Sequence, residues 1–426
     1  MVEGQPEGHV VRSCYIGMTI GERIGLSEDL RSALFYALLL KDAGCSANSF
    51  RTAVLFDADD FGVKRSFKTV DWSRLPNAVL YAARSVSPQG NAWAKARQFF
   101  SVSKVLPDVG RELIQIRCER GAEITRLMGF SEETAGAIRN LDEHWDGGGH
   151  PDGLKGDEIP LLARICGLAQ TAEVFYSAYG PERAEKVVRA RRKRWFAPDL
   201  VDVFLAEARV GNIWENLHGD ITGAISRMEP EDRSLFATPE RLDLAAFAFA
   251  QIIDAKSPFT FQHSEGVANV AVAISAHMGF GPEELRNQRQ AGLLHDIGKL
   301  GISNSILDKG SSLTDEEFAK IKTHPQLSYE ILSRVPPFES IVERAANHHE
   351  KLDGSGYPRG LTGEDLDLPS RILTVADIYD ALGQDRPYRK ALPKERVMEI
   401  FDEESATKLC PESVAALKEL VSKGVI

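Results

Sequence analysis

The sequence predicts an all-α protein built from two tandem copies of one helical bundle. Three observations carry that expectation. Apolar residues recur at three- and four-residue spacing along most of the chain, with Gly and Pro mainly between such segments. No series of alternating strands is present, and motifs of the second half recur in order in the first. The 426 residues give each copy enough material for a sizeable core.

Taken in order, the first apolar block, Ala33 to Leu40, reads as a buried helix. Leu242 to Ile253 reads the same way, and both fall short of the roughly 20 residues that a membrane-spanning helix needs. Val267 to Met278 is a periodic helix stopped by Gly279. The charged, Pro-containing stretch from Met228 to Arg241 is the best linker, which predicts domains at 1–229 and 230–426.

The repeat is specific. His263 precedes His295-Asp296 by 32 positions, and His9 precedes Lys41-Asp42 by the same 32; Gly279-Phe280 then falls opposite Gly25-Leu26. His324 lies 26 before Glu350, and Arg117 lies 26 before Glu143. From Glu350 to Leu361 the second copy pairs without a gap with Glu143 to Leu154. The offset falls from 254 to 207, so the first copy carries 47 extra residues, placed near 46–116. Within them Asp57, Asp59, Asp60, Lys64, Arg65 and Lys68 form a mixed-charge stretch that reads as a surface helix and loop. Five basic residues between Arg189 and Arg194 read as a solvated helix face.

Lys and Arg total 51 against 62 Asp and Glu, a net charge of −11. That balance argues against a nucleic-acid polymer or an anionic membrane as partner, although a local basic pocket would not show in the sum. Cys14, Cys45, Cys118, Cys166 and Cys410 are odd in number, scattered and free of CxxC pairs. With no basic and apolar leader at the N-terminus, they point to the cytoplasm.

The second copy gathers His263, His295, Asp296, His324, His348, His349 and Asp377, imidazole and carboxylate groups suited to iron, manganese or zinc. On a helix, His295 and Asp296 would approach a metal from adjacent directions, with Lys299 on their face. Seven ligating groups exceed what a single catalytic zinc uses, so two metals sharing a carboxylate fit the count.

His295-Asp296-Ile297-Gly298-Lys299, the run from His348 through Gly356-Tyr357-Pro358, and Val375-Ala376-Asp377-Ile378-Tyr379-Asp380-Ala381 resemble the signatures of the HD-GYP family of HD metal-dependent phosphohydrolases. The resemblance covers roughly residues 255 to 420 and implies an all-helical catalytic domain there; with the repeat, the chain reads as two HD-type helical bundles. The resemblance also implies two iron or manganese ions held by His263, His295, Asp296, His324, His348, His349 and Asp377, with Asp296 bridging. Lys299 would touch the scissile phosphate, and Tyr357, Asp380, Arg386 and Arg389 would line the nucleotide site. Members with a third metal use an acidic residue four before the first histidine; here that position is Phe259.

The implied reaction is hydrolysis of a cyclic dinucleotide, cyclic di-GMP by family frequency, with cyclic GMP-AMP as the alternative and a non-catalytic sensing scaffold as a third reading. Two divalent ions about 3.5–4 Å apart activate water and neutralise a phosphoryl oxygen, while Lys299, Arg386 and Arg389 reduce the repulsion of an anionic diester. The family also implies a diguanylate cyclase or other signalling protein docked at the Gly-Tyr-Pro loop, and the architecture allows a homodimer.

The first copy keeps His9 and Asp42. Lys41 stands for His295, Arg117 for His324, Leu141 for His348, Asp142 for His349, Gln170 for Asp377, Cys45 for Lys299 and His150 for Tyr357. It therefore reads as a degenerate, non-catalytic copy in which Lys41 and Arg117 pair with Asp42 and Asp142 where metals would otherwise sit.

Overall fold

The computed structural model describes residues 3–71, 75–88, 90–210, 212–230, 238–260, 262–385 and 389–426. The chain forms two compact units, Met1–Phe236 and Ala237–Ile426. The described residues contain helices and three isolated β-bridges but no strand, so the expected all-α class holds.

In the first unit, helices His9–Arg23, Glu28–Leu40, Glu132–Arg139, Leu161–Tyr179 and Pro198–Arg209 share one core. Ile16, Ile20, Leu34, Leu38, Ile165, Leu168 and Phe204 are fully buried there. Ser27 caps the second of these helices by accepting from the Leu30 amide, replacing one of the hydrogen bonds that a helix start lacks. The apolar block 33–40 lies inside that helix, as expected. The extra residues build Ser49–Phe56, Asp60–Phe67, Leu75–Ser85 and the first part of the 36-residue helix Ala92–Leu127. They have a small core of their own, made of Phe56, Val63, Tyr81, Ala82, Val86 and Val102.

The second unit packs His263–His277 against Pro282–Leu294 and Leu368–Gly383, burying Val267, Ala271, Ile274, Leu294, Ile372 and Leu373. The His263 helix stops where the sequence placed its end. Gly279 has φ 87°, and the amides of Gly279 and Phe280 return to the carbonyls of Ala276 and Ser275, a closure that favours glycine. Gly25 does the same in the first unit with φ 70°.

Two sequence expectations are corrected here. His295 and Asp296 do not share a helix: the α-helix ends at Leu294, and Asp296 precedes a 3-10 turn, Ile297–Gly301. The cause is a backbone crossing. A Cβ on Gly298 would lie 1.9 Å from the His324 carbonyl oxygen, so the chain must turn at a residue without a side chain. His348-His349 likewise sits in the turn after Val342–Ala346, not on a helix.

Candidate metal centre

In the second unit all seven expected metal-binding residues converge. His263, His295, Asp296, His324, His348 and Asp377 are buried, while His349 keeps 24% of its side chain exposed. His263 opens its helix, His295 closes the next, His324 opens His324–Leu332, and Asp377 projects from the middle of Leu368–Gly383.

The ring orientations share one rule. His295, His324 and His348 each donate from Nδ1 to the carbonyl three residues earlier, those of Gly292, Ile321 and Ala345, at 2.7, 2.7 and 2.6 Å. His263 turns its Nδ1 to Asp380 at 2.6 Å. Occupying Nδ1 fixes the ring and leaves Nε2 free to coordinate, the arrangement expected of metal-bound histidines.

Those Nε2 atoms surround the two aspartates. Asp296 Oδ2 faces His263 at 3.7 Å and His295 at 3.4 Å, while its Oδ1 faces His324 at 3.2 Å and His348 at 3.7 Å. Asp377 Oδ1 lies 3.3 Å from His263, and Oδ2 lies 3.6 Å from His349. Donor atoms fall into two groups, His263/His295/Asp296 and His324/His348/His349, each within 4.8 Å. His295 Nε2 and Asp296 Oδ1 are buried without a hydrogen-bond partner, a state that costs about 1–3 kcal/mol per group. The donor set and its orphaned atoms therefore fit divalent cations.

Burial would lower the pKa of His263, but hydrogen bonds to Asp377 and Asp380 hold it up at about 9. Burial and the neighbouring imidazoles push His348 down to about 3, and His349 falls well below its ordinary value for the same reasons. Burial opposes the charge of Asp296, yet Lys299 and His295 keep its carboxyl well below the carboxylate range. His324, His348 and His349 are thus held neutral beside ionised aspartates, while His263 keeps a proton that a cation would have to displace.

The cluster opens at His349, Lys299 and Tyr357. Lys299 Nζ lies 2.5 Å from Asp296 Oδ2, and the Tyr357 ring lies 4.7 Å from that of His349. The loop carrying Tyr357 is tied down by Glu350, which accepts from the amides of Arg359 and Leu361 at 2.8 and 2.9 Å. Lys322, missed in the sequence, adds a cation 5.4 Å from the Tyr357 ring; its place two positions before His324 was the available signal.

Two expected nucleotide contacts read differently. Asp380 stands behind His263 as the acceptor that orients it, with Gln384 donating to the same carboxylate at 2.6 Å. Arg389 does not reach toward the cluster. It donates to the carbonyls of Ala381, Leu382 and Lys390, capping the end of Leu368–Gly383, where unpaired carbonyls attract a guanidinium. Arg386 lies outside the described residues.

The first unit has cations at the corresponding place. His9 Nδ1 pairs with Glu173, at the repeat position of Asp380, and its Nε2 meets Lys41 Nζ at 2.9 Å. Lys41 hydrogen-bonds Asp42, and Arg117 pairs with Asp142, the two pairings expected from sequence. A third cation was not foreseen. Lys68, from the extra residues, reaches Glu3 at 2.6 Å, Gln170 at 3.1 Å and Asp42 at 3.5 Å. Lys64 is buried and donates to the Cys45 carbonyl at 2.6 Å. The surface reading of this stretch is thus corrected: its lysines point inward, where carbonyls and carboxylates satisfy them. Glu3, Asp42 and Cys45 also offer clustered donors, but lysines engage both carboxylates, and burial raises the Cys45 thiol well above its ordinary value.

The basic run is corrected as well. Its helix ends at Ala190, and Arg191 is buried with its guanidinium 3.6 Å from the Trp195 ring centre, while Arg192 pairs with Asp202.

A family model for the HD domain matches residues 67–199 and 248–412, once in each half of the chain. The 3'3'-cGAMP-specific phosphodiesterase 3 of Vibrio cholerae is 40% identical over 423 residues, covering 99% of this chain and 92% of that protein. The 3'3'-cGAMP-specific phosphodiesterase 1 of the same organism is 43% identical over 355 residues, with 79% and 80% covered. The cyclic di-GMP phosphodiesterase response regulator RpfG of Xanthomonas campestris pv. campestris is 36% identical over 264 residues, with 61% and 64% covered. Among solved structures, a cyclic GMP-AMP specific phosphodiesterase of V. cholerae superposes with a TM-score of 0.65 at 35% identity, covering 99% of this chain and 94% of that one. Two matches to one helical domain and a histidine-aspartate centre with its Gly-Tyr-Pro loop place this chain in the HD-GYP family of HD-domain, metal-dependent phosphohydrolases.

Proposed function

We propose that the protein is a cyclic dinucleotide phosphodiesterase whose second unit carries the reaction and whose preferred substrate is 3'3'-cyclic GMP-AMP. The observation that carries the enzymatic reading is the carboxylate of Asp296, whose two oxygens each face a different pair of imidazoles. His263 and His295 would hold one ion and His324, His348 and His349 a second, with Asp296 between them and Asp377 completing the shell; iron or manganese suits this donor set. Bound there, divalent ions would supply Lewis acidity to a phosphoryl oxygen and make water a better nucleophile at neutral pH.

The chain's own residues do the rest. Lys299, at the open side, faces the scissile phosphate and offsets its charge as attack proceeds. Tyr357, with Lys322 beside it, offers a flat face to a base. Asp380 positions His263. A pure binder has no use for this many ligating groups, which disfavours a sensing scaffold. The first unit lacks the set, and we assign it no catalysis.

Cyclic GMP-AMP is preferred because a relative named for it matches 99% of this chain, whereas RpfG, named for cyclic di-GMP, matches 61% of it. Cyclic di-GMP remains the second reading, because no residue identified here distinguishes guanine from adenine. The five cysteines are all unpaired, which supports the cytoplasm, where such substrates act; among the described residues no helix is long and apolar enough to cross a membrane. The test is incubation of iron- or manganese-loaded protein with each dinucleotide, following linear and mononucleotide products. Faster cleavage of cyclic GMP-AMP is expected. No turnover of either, with metal content verified, overturns the enzymatic reading.

A further inference from the structure

A cavity of about 530 Å3 lies in the first unit, within the range of small-molecule sites. Its floor includes Arg117, Asp142 and Gln170, which stand at the repeat positions of His324, His349 and Asp377. The void therefore falls where the second unit has its metal shell. One wall comes from the extra residues, through Phe56, Val63, Phe67 and Val70, and the separate core beneath them makes that wall a built element. Trp195 and Phe196 also line it.

Two features describe what would fit. His144 and Trp195 line the cavity and stack with ring centres 4.0 Å apart, yet His144 Nδ1 and Trp195 Nε1 are buried without hydrogen-bond partners. Arg191 covers Trp195 as well, with its guanidinium 3.6 Å from the ring centre, so this stack closes the lining and apolar contact with a ligand falls to residues such as Phe67. Lys64, Lys68, Arg111 and Arg117 line the cavity against Glu3, Asp142 and Glu143. Glu143 already accepts three loop amides. Lys68 is paired with Glu3 and Arg117 with Asp142, which leaves Arg111, an exposed lining residue, as the cation a ligand can meet.

We propose that this cavity is a second, non-hydrolytic site, which takes a purine nucleotide by packing its base on the apolar wall that includes Phe67 and setting phosphate against Arg111. The choice of a purine rests on the substrate class proposed above. Lacking the ligand set, the site binds without metal and leaves the phosphodiester intact.

The experiment uses the full chain, stripped of metal with chelator and carrying Lys299→Ala to weaken the second unit's own site. Equilibrium dialysis is run separately with cyclic GMP-AMP, its linear product, GMP and AMP. One equivalent bound per chain is expected for at least one of them. Binding of a mononucleotide alone supports a product-sensing site, and binding of the cyclic form supports a substrate-sensing site. Gly110→Phe fills the lining at a helical position where an added Cβ meets nothing within 4 Å, and Arg111→Glu reverses the charge of the exposed cation. Each should weaken binding at least tenfold, with circular dichroism confirming an intact fold. No binding of any nucleotide, or binding that both variants leave unchanged, overturns the proposal. Turnover by the metal-loaded chain reports on the second unit and dialysis of the stripped chain on the first, so the two readings fail separately.

Discussion

Asp296 and Asp377 sit among imidazoles, whereas Asp42 and Asp142, in the same fold, sit against Lys41, Lys68 and Arg117. The second copy buries its aspartates and the first keeps its own mostly covered, and a carboxylate withdrawn from water needs compensating positive charge. The second copy supplies one cation itself, Lys299 beside Asp296, and leaves the rest to be bound from solution; the first carries its cations covalently. The surrounding frame hardly registers the change. Gly44 approaches the Arg117 carbonyl as Gly298 approaches that of His324, with an added Cβ at 2.0 and 1.9 Å respectively. His9 leans on Glu173 as His263 leans on Asp380. Where Gly266 lets Asp380 come close, the first copy has Arg12, which donates to Glu173 at 2.7 Å. The fold is thus indifferent to the source of the positive charge, while the chemistry depends on it.

The sharpest way to break this contrast is Asp296→Ala, which removes the group shared by both donor clusters. Turnover should fall at least a thousandfold, about 4 kcal/mol in transition-state terms, with loss of at least one ion per chain by elemental analysis. Retained activity would show that Asp296 does not bridge. Next in size is metal removal. At metal concentrations a thousandfold above Kd, binding stabilises by about 4 kcal/mol. Chelation should therefore speed amide exchange in His263–His277 and Leu368–Gly383 and leave His9–Arg23 and Leu161–Tyr179 unchanged. Equal acceleration in both units would erase the distinction drawn here.

Arg117→Ala tests the first copy directly, because it leaves Asp142 without its guanidinium. Breaking a buried pair costs about 3–5 kcal/mol, and the partial exposure of Asp142 puts the expected loss near the lower end, about 3 kcal/mol, read from urea unfolding. The smallest effect is on pH dependence. Burial lowers His144 to about 4, so the unfolded chain, titrating near 6.5, takes up a proton that the folded chain refuses. Stability contributed by His144 is present above about pH 6.5 and is lost as pH falls toward 4. His144→Phe should flatten this part of the profile.

The sequence carried the convergence of the seven candidate ligands well, because histidine and aspartate at fixed spacings report chemistry directly. It also carried the repeat, from which Glu173 was available as the counterpart of Asp380 at the same offset of 207. It carried local geometry poorly. Nothing in the periodicity around His295 shows that another backbone crosses at Gly298 and ends the helix. Lys64 and Lys68 look like surface residues because a charge pattern does not tell an amine in water from one held by carbonyls. Arg389 was placed at the substrate by the family resemblance, although the open end of the preceding helix competes for the same guanidinium.

The carboxylates behind the two Gly-rich loops have a further consequence. Glu350 and Glu143 gather backbone amides of their loops, and His349 is joined to the same structure through its carbonyl, which accepts from the Tyr357 amide at 3.2 Å. Holding one residue's backbone in a single conformation costs about 1–2 kcal/mol. With the loop fixed from behind, that ordering is completed when the chain folds, and an arriving nucleotide meets a surface already in shape. Affinity at the mouth of each site is then set by contacts alone, so the two halves can diverge in what they hold without rebuilding how they hold it.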